Sequence, residues 1–297
     1  IAIALAAMTL ISCAVMQSCQ KSGFDAGKNI SVVAREDGSG TKSAFMEIIG
    51  LKGKSDVSGV IIATGTAGVL AEVKSNPLAI AYESLGYVTD DVKKLKIDGV
   101  EATVENIKNG TYKIARPLRV VYKPATVENS VNAAYLKFLQ SDAAQKIVSA
   151  EGYVALVDNA QAYSPDSSLS GTINISGSTS LQPLMIKLAA KFQELQSGVS
   201  VTVAGGGSGQ GYKNAEAGVS EFGMISESFN SEKAPDCVSY EVAKDGIAVI
   251  VNKDNTQDSI SLTTLKNIYD AEAGENAVRP AYPGAGYYRP RAALCPH

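Results

Sequence analysis

The sequence lacks tryptophan and contains a single histidine, His297, in a chain of 297 residues. Because that histidine is the last residue, a histidine-rich zinc site or a nucleophile activated by histidine would depend on the chain terminus. The chain also lacks the G-x-S-x-G turn of serine hydrolases. Its stretch G-G-G-S-G-Q-G-Y-K does not end in the G-K-[ST] of a nucleotide-binding loop. These absences argue against an enzyme, and we expect neither a metal nor a cofactor.

Cysteine is also scarce, with Cys13, Cys19, Cys237 and Cys295 as its four occurrences. No two of them stand in a C-x-x-C spacing, which disfavours a metal site and a thioredoxin-type motif. Cys237 is predicted to be a small apolar residue of the interior.

Neither sign of charge dominates, because 27 Lys and Arg residues stand against 30 Asp and Glu residues and the net charge is -3. This balance disfavours nucleic acid and anionic membrane surfaces as partners. Hydrophobic residues make up 45% and charged residues 19% of the chain, as in ordinary globular proteins. The length is enough for about two domains.

Residues 1–16 are uncharged and mostly apolar. They are shorter than the roughly 20 residues of a membrane-spanning helix and are typical of the apolar region of a secretory signal. The sequence L-I-S-C (10–13) is similar to a bacterial lipobox, which predicts lipidation at Cys13 and a signal segment within residues 1–19. The alternatives are lipidation at Cys19, a cleaved signal without lipid, and a buried N-terminal helix. Lipidation at Cys13, lipidation at Cys19 and a cleaved signal without lipid all predict secretion across the cytoplasmic membrane. The protein would then be lipid-anchored at the cell envelope or periplasmic.

Short apolar strands alternate with helical runs along most of the chain, which predicts parallel β-α-β units and an α/β fold. Residues 158–170 are polar and rich in turn formers, and they form the predicted linker. Residues 271–297 show no pattern. Strands are predicted at 30–34, 57–64, 78–82, 116–122, 172–176, 199–204, 222–226 and 247–252, and helices near 42–50, 67–75, 127–140, 141–151, 183–195, 211–217 and 261–269.

Three loops rich in Gly, Ser and Thr each join a predicted strand to a predicted helix: R-E-D-G-S-G-T (35–41), G-S-T-S-L-Q-P (177–183) and G-G-G-S-G-Q-G (205–211). The first turn of a helix has free backbone N–H groups and a partial positive charge, which together favour an anion. Arg35 adds a forked, charged donor. The three loops predict a site for a small oxyanion, although each loop alone could be a simple helix cap.

These segments, with I-A-Y-E-S-L-G and D-G-I-A-V-I-V-N, resemble the extracytoplasmic phosphate-binding proteins of bacterial phosphate ABC transporters. The resemblance covers about residues 29–157 and 171–270. It implies a two-lobed, periplasmic-binding-protein-like fold of type II, with the anion held between the lobes without metal. It also implies an ABC permease as partner and a monomer that binds no nucleic acid.

The order of the segments differs from the usual order in that family, because R-E-D-G-S-G-T precedes G-S-T-S-L-Q-P. This predicts a circular permutation, in which residues 29–92 and 251–270 form lobe two and residues 93–250 form lobe one. The alternative is two half-domains from a tandem pair.

The resemblance also assigns residues to the phosphate site. Its donors would be Thr179, Ser180 and Ser208 from lobe one and Arg35, Ser39, Gly40 and Thr41 from lobe two. Asp37 would pair with Arg35. The acceptor of the proton of hydrogen phosphate would be Glu227, with Ser226 beside it, because this neighbourhood has no Asp. The open alternatives are that the serines are caps, that Glu227 is a surface charge, that the ligand is sulfate or molybdate, or that the protein is a phosphoester hydrolase, a sensor or an adhesion protein.

Overall fold

The computed structural model describes residues 24–25, 27–157 and 160–273. The predicted signal segment 1–19 with Cys13 therefore lies outside the described residues, as does the tail beyond residue 273. Among the described residues, no helix is both long and apolar enough to cross a membrane.

Within these residues the chain forms eleven strands and eight α-helices. The strands are β1 (Ser31–Arg35), β2 (Ile61–Ala63), β3 (Ala79–Ser84), β4 (Lys93–Lys94), β5 (Lys96–Ile97), β6 (Ala115–Tyr122), β7 (Gly171–Gly177), β8 (Val199–Ala204), β9 (Phe222–Ile225), β10 (Val238–Val251) and β11 (Ser259–Ile260). The helices are α1 (Gly40–Ile48), α2 (Gly65–Ser75), α3 (Val104–Lys108), α4 (Ser130–Leu139), α5 (Asp142–Ala150), α6 (Gln182–Leu195), α7 (Ser208–Glu216) and α8 (Leu262–Tyr269). The predicted alternation of strand and helix is confirmed, and Ser261 caps α8 by accepting a hydrogen bond from the Thr264 N–H.

One sheet of nine strands runs through the molecule in the order β2-β1-β3-β10-β6-β9-β7-β8, with β4 paired to β10. The strands at each end of the sheet pair in parallel: β1 pairs with β2 and β3 at one end, and β7 pairs with β8 and β9 at the other. This is the arrangement that β-α-β units produce.

Strand β10 joins the two ends of the sheet. Its last five residues, Ile247 to Val251, pair with β3, while the segment from Val238 to Gly246 pairs with β6. The sequence predicted only 247–252 as a strand. The preceding half of β10 is partly exposed and contains charged residues, so it lacks the continuous apolar run that marks the buried half.

Two large groups of buried apolar side chains flank this junction. The first group includes Phe45 and Tyr82 and extends to Ile114 of the segment before β6. The second begins at Leu118 within β6 and contains Phe138 and Phe192. The sequence-based boundary put residues 93–114 in lobe one, but their apolar side chains pack in the first group because α3 and the turn before β6 lie against the lobe-two side of β10.

The predicted linker packs on the surface of the second group over its described part. The Tyr163 ring lies edge-on to Phe138 and Phe192, at centroid distances of 5.5 and 5.9 Å. The backbone N–H of Asp142, at the start of α5, donates to the Gln161 carbonyl. The described part of the linker is therefore held against the second group by aromatic contacts and a hydrogen bond, in spite of its polar composition.

Candidate anion-binding site

Four helix starts meet where the two groups of the core face each other. Three of them are the predicted starts of α1, α6 and α7. The fourth is the start of α2, where Thr66 is buried and its hydroxyl lies 3.2 Å from that of Thr179. The sequence contained its signal, since A-T-G-T-A (63–67) follows a strand and precedes a helix as the other three loops do.

Two side chains at the start of α1, those of Ser39 and Thr41, have different roles. Ser39 is the N-cap, and its hydroxyl accepts a hydrogen bond from the Lys42 N–H at 3.3 Å, which is the alternative role that the sequence left open. The buried Thr41 hydroxyl lies 2.9 Å from that of Ser180, which belongs to the loop before α6. Thr41 and Ser180 therefore connect the two lobes directly.

The starts of α1 and α7 approach each other closely at Gly40. A Cβ atom at this position would lie 2.2 Å from Ser208 Oγ and 2.9 Å from Ser226 Oγ. Beside it, the Gly209 N–H donates to the Gly38 carbonyl at 3.0 Å. Glycine is therefore needed at position 40, because a side chain there would clash with Ser208 and Ser226.

Ser208 and Ser226 meet at the start of α7. The Ser208 hydroxyl accepts the Ser226 N–H at 3.0 Å, and the two hydroxyl oxygens are 3.3 Å apart. Both residues are 1% exposed. Ser226 thus belongs to the buried site, as its place beside the expected acceptor had indicated.

Arg35 lies at the centre of the lobe-two side and is 1% exposed. Its Nε and Nη2 atoms donate to the two carboxylate oxygens of Glu36, at 2.9 and 3.0 Å. Nη1 donates to Glu83 Oε2 at 3.2 Å, and Nη2 also donates to the Thr179 hydroxyl at 3.0 Å. The guanidinium therefore reaches across to lobe one.

The prediction that Asp37 pairs with Arg35 is wrong. The Asp37 side chain is 99% exposed and accepts a hydrogen bond from Lys42 Nζ at 2.8 Å. Strand β1 ends at Arg35 and the chain turns at once, so the alternation that would put Asp37 beside Arg35 does not continue. Glu36 takes its place, and its Oε2 also accepts the Gly65 N–H at 3.1 Å.

Glu83 is, with Thr66, a functional candidate that the sequence analysis missed. It lies near the end of β3 and is 0% exposed. Besides Arg35, its carboxylate accepts hydrogen bonds from the Ser84 N–H at 2.8 Å and from the Ser180 hydroxyl at 3.4 Å. Its signal was a charged residue at the end of the apolar run A-I-A-Y, because an unpaired glutamate is almost never fully buried.

The electrostatics of this cluster follow from burial and pairing. Burial raises the pKa of Glu83 above its ordinary value, and the attraction of Arg35 only partly opposes it. Burial also opposes the charged form of Arg35, but the carboxylates of Glu36 and Glu83 outweigh it and raise the arginine pKa. Burial would likewise raise the pKa of Glu36, yet the hydrogen bonds and charge of Arg35 lower it.

A second buried ion pair lies beside the site, where β6 and β10 cross between the lobes. Arg116 donates to Asp245 Oδ2 from Nε and Nη2, at 3.3 and 3.0 Å, and its Nη1 donates to the Ser226 carbonyl at 3.1 Å. The Ser84 hydroxyl donates to the same oxygen of Asp245 at 2.8 Å. This pair therefore links the junction strand to the loop that carries Ser226.

Glu227 does not join the buried cluster. Its side chain is 8% exposed, and its Oε1 accepts a hydrogen bond from Lys233 Nζ at 2.8 Å. With Asp37 and Lys42 it lines an outer groove of about 650 Å³. The chain leaves β9 at Ile225, so Ser226 faces inward and Glu227 faces the groove. Glu227 is therefore not placed to accept the proton of a ligand bound in the buried cluster.

In the part of the chain that the structure describes, no three His, Cys, Asp or Glu side chains are grouped so that they could hold a metal ion. The groups that meet at the site are hydroxyls, one guanidinium and two carboxylates. Such a set can bind a small oxyanion through hydrogen bonds.

The chain matches the PBP superfamily domain over residues 17–143 and 162–286, which confirms the predicted periplasmic-binding-protein-like fold. A phosphate-binding protein of a phosphate ABC transporter from Streptococcus pneumoniae has a similar solved structure. The TM-score is 0.66 at 31% identity, over 82% of this chain and 96% of that one.

Curated relatives are more specific than the superfamily. Phosphate-binding protein PstS 2 of Streptococcus agalactiae is 34% identical over 275 residues, which are 89% of this chain and 93% of the relative. Phosphate-binding protein PstS of Bacillus subtilis is 38% identical over 104 residues, which are 34% of each chain. The chain therefore belongs to the PBP superfamily and, within it, to the family of phosphate-binding proteins of ABC transporters, which the sequence motifs predicted.

Proposed function

We propose that this protein binds inorganic phosphate between its two lobes and delivers it to the permease of an ABC transporter. The observation that carries this proposal is the meeting of Arg35, Thr41 and Thr66 from one lobe with Thr179, Ser180 and Ser208 from the other. The family is one of transport binding proteins, and the chain is accordingly a binding protein and not an enzyme.

The chemistry of these groups suits a tetrahedral anion. Hydroxyls and the N–H groups of helix starts are neutral donors, and four helix dipoles add partial positive charge without a matching desolvation cost. Ser39 and Gly40 begin α1 and supply the backbone of that turn. Closure of one lobe on the other then completes the shell around the anion.

A binding protein of this family works outside the cytoplasm, where it meets its permease. The attachment that we propose is a lipid on Cys13 of the L-I-S-C motif. Replacement of Cys13 by Ala should release the protein from membranes, whereas Cys19→Ala should leave it attached. Equal attachment of both variants would contradict lipidation at Cys13.

Sulfate and molybdate are the alternative ligands, because both are tetrahedral oxyanions of similar size. Titration calorimetry with phosphate and sulfate in parallel decides between them. We expect heat of binding with phosphate and at least about tenfold weaker binding of sulfate, a difference of about 1.4 kcal/mol. Tighter binding of sulfate, or release of phosphate from a phosphoester, would overturn the assignment.

We also propose that this segment order results from a circular permutation. The coverages support this proposal, because the Bacillus protein matches over only about a third of its length while the PstS 2 relative matches almost throughout. The two buried groups of side chains favour a lobe boundary near the start of β6, between Ile114 and Leu118. We also propose that the protein is a monomer, which light scattering would test.

A further inference from the structure

The buried pair of Arg116 and Asp245 lies where the chain passes between the lobes. Along β10 the buried apolar side chains belong to the second group up to Ala243 and to the first group from Ile247 onward. Arg116 on β6 is directly opposite Asp245 in the register of the two strands, within this interval. Asp245 is also the charged residue that begins the motif D-G-I-A-V-I-V-N, and the proposed phosphate contacts give it no role.

Each member of the pair binds a group from a different lobe. Nη1 of Arg116 donates to the carbonyl of Ser226 in lobe one, at 3.1 Å. The hydroxyl of Ser84, which ends β3 in lobe two, donates to Oδ2 of Asp245 at 2.8 Å. Both side chains of the pair are 1% exposed, so these hydrogen bonds form without competition from bulk water and are stronger for it.

The two groups that the pair binds are themselves bonded to residues of the anion site. The Ser226 N–H donates to the hydroxyl of Ser208 at 3.0 Å. The Ser84 N–H donates at 2.8 Å to Glu83, which accepts from Arg35 at 3.2 Å. A series of hydrogen-bonded residues therefore runs from a donor of lobe one, through the ion pair, to the guanidinium of lobe two.

Stability alone does not account for an ion pair at this place. Well-packed apolar side chains of similar volume are often as stabilising as a buried ion pair, and apolar groups lie on both sides of this one. The guanidinium differs from an apolar side chain because its donors point in fixed directions. Arg116 therefore fixes the position of Ser226 relative to Asp245, which a packed methyl group could not do.

We propose that Arg116 and Asp245 are positioning residues for phosphate binding, which hold Ser226 and Ser84 where the donors of the two lobes meet around the anion. This inference rests on the proposed phosphate function and adds two residues that do not touch the ligand. Because Ser84 and Ser226 move with different lobes, opening of the lobes loosens one of the two contacts. The pair should therefore slow the release of phosphate.

The test is Arg116→Lys in the full chain, with calorimetric titration by phosphate and measurement of the rate at which bound radiolabelled phosphate is released. Lysine keeps a positive charge beside Asp245 but lacks the fork that also reaches Ser226. The dissociation constant should rise at least about tenfold, mainly through faster release. The matched control is Arg119→Lys, because Arg119 also lies on β6 and pairs with Glu241 of β10, away from the site. Its dissociation constant should stay within about twofold of the parent.

A second variant keeps the test valid if Arg116→Lys does not fold. Ser84→Ala leaves the ion pair in place and removes only the hydroxyl that binds it from lobe two. Its dissociation constant for phosphate should rise at least about threefold, the effect of one hydrogen bond.

The measurements separate positioning from stability. All variants are titrated where circular dichroism shows them to be fully folded, so that a loss of stability alone leaves the dissociation constant unchanged. If the parent binds phosphate and the folded variants bind and release it as the parent does, the positioning role is refuted while the proposed function stands. If the parent binds no phosphate, the proposed function is refuted and the positioning role with it.

Discussion

The Nη1 atom of Arg35 lies 3.2 Å from Oε2 of Glu83, in a pair whose side chains are 1% and 0% exposed and whose positions are 48 residues apart. A buried charge is tolerated when it is paired and hydrogen-bonded. Each of these two residues therefore makes the burial of the other possible, and this pair holds the guanidinium where it also reaches Thr179.

Removal of Arg35 should weaken phosphate binding strongly. Charge-assisted hydrogen bonds contribute about 1.5–3 kcal/mol, so Arg35→Ala should raise the dissociation constant about 10- to 100-fold. The control is Arg119→Ala, which removes an arginine that pairs with Glu241 outside the cluster. Calorimetric titration of both variants with phosphate measures these dissociation constants. An affinity of Arg35→Ala within about twofold of the parent would show that the anion does not contact Arg35.

A methyl group at Gly40 should interfere with closure of the lobes. The Cβ atom of Gly40→Ala would lie 2.2 Å from Ser208 Oγ, so the lobes would stay further apart and the donor shell would remain incomplete. We expect phosphate affinity to fall at least about tenfold. Gly68→Ala in α2 is the control, since its nearest contact would be an ordinary 3.8 Å, and small-angle scattering with saturating phosphate would measure the closure.

The pair of Arg116 and Asp245 should contribute to stability. Both side chains are 1% exposed, and removal of one member leaves an uncompensated buried charge. Asp245→Ala should lower the free energy of unfolding by about 3–5 kcal/mol. The matched change in an exposed pair, Glu47→Ala beside Lys52, whose side chains are 50% and 74% exposed, should cost less than about 1 kcal/mol. Denaturant titration of both variants would measure the difference, and equal losses would contradict this role.

Stability should fall as the pH rises above the ordinary pKa values of two buried carboxylates, Glu83 and Asp245. Burial raises the pKa of Glu83 and of Asp245 above their ordinary values of 4.5 and 3.8. A raised pKa means that the folded state still holds protons that the unfolded state has released, so the free energy of unfolding decreases with pH from about these ordinary values upward to the raised values. Glu36 and Asp37 have lowered pKa values. Above their ordinary values of 4.5 and 3.8 they are ionised in both the folded and the unfolded state, so they do not contribute to this decrease.

Denaturant titrations at several pH values would measure this slope, and the single histidine of the chain keeps other titrations few. Glu83→Gln should make the slope shallower. A slope of the opposite sign in the parent would show that both carboxylates gain more from their arginines than they lose by burial.

The sequence by itself determined the units of the fold. Short strands, small-residue loops and amphipathic helices are local patterns, so they predicted the helix starts that carry Thr41, Ser180 and Ser208. A helix start has free N–H groups wherever it is placed, and the anion chemistry could therefore be read before the fold was known. The T-G-T loop at Thr66 had the same signal and could have been read in the same way.

The tertiary structure decided which side chains meet. The partner of Arg35 depends on the turn after β1, which sends Asp37 into solvent, and on the pairing of β1 with β3, which brings Glu83 to the guanidinium. The junction formed by β10 likewise depends on two neighbours, β3 and β6, that are far apart in the chain. Side-chain direction at the end of a strand and contacts between distant segments are set by packing, and no local pattern encodes them.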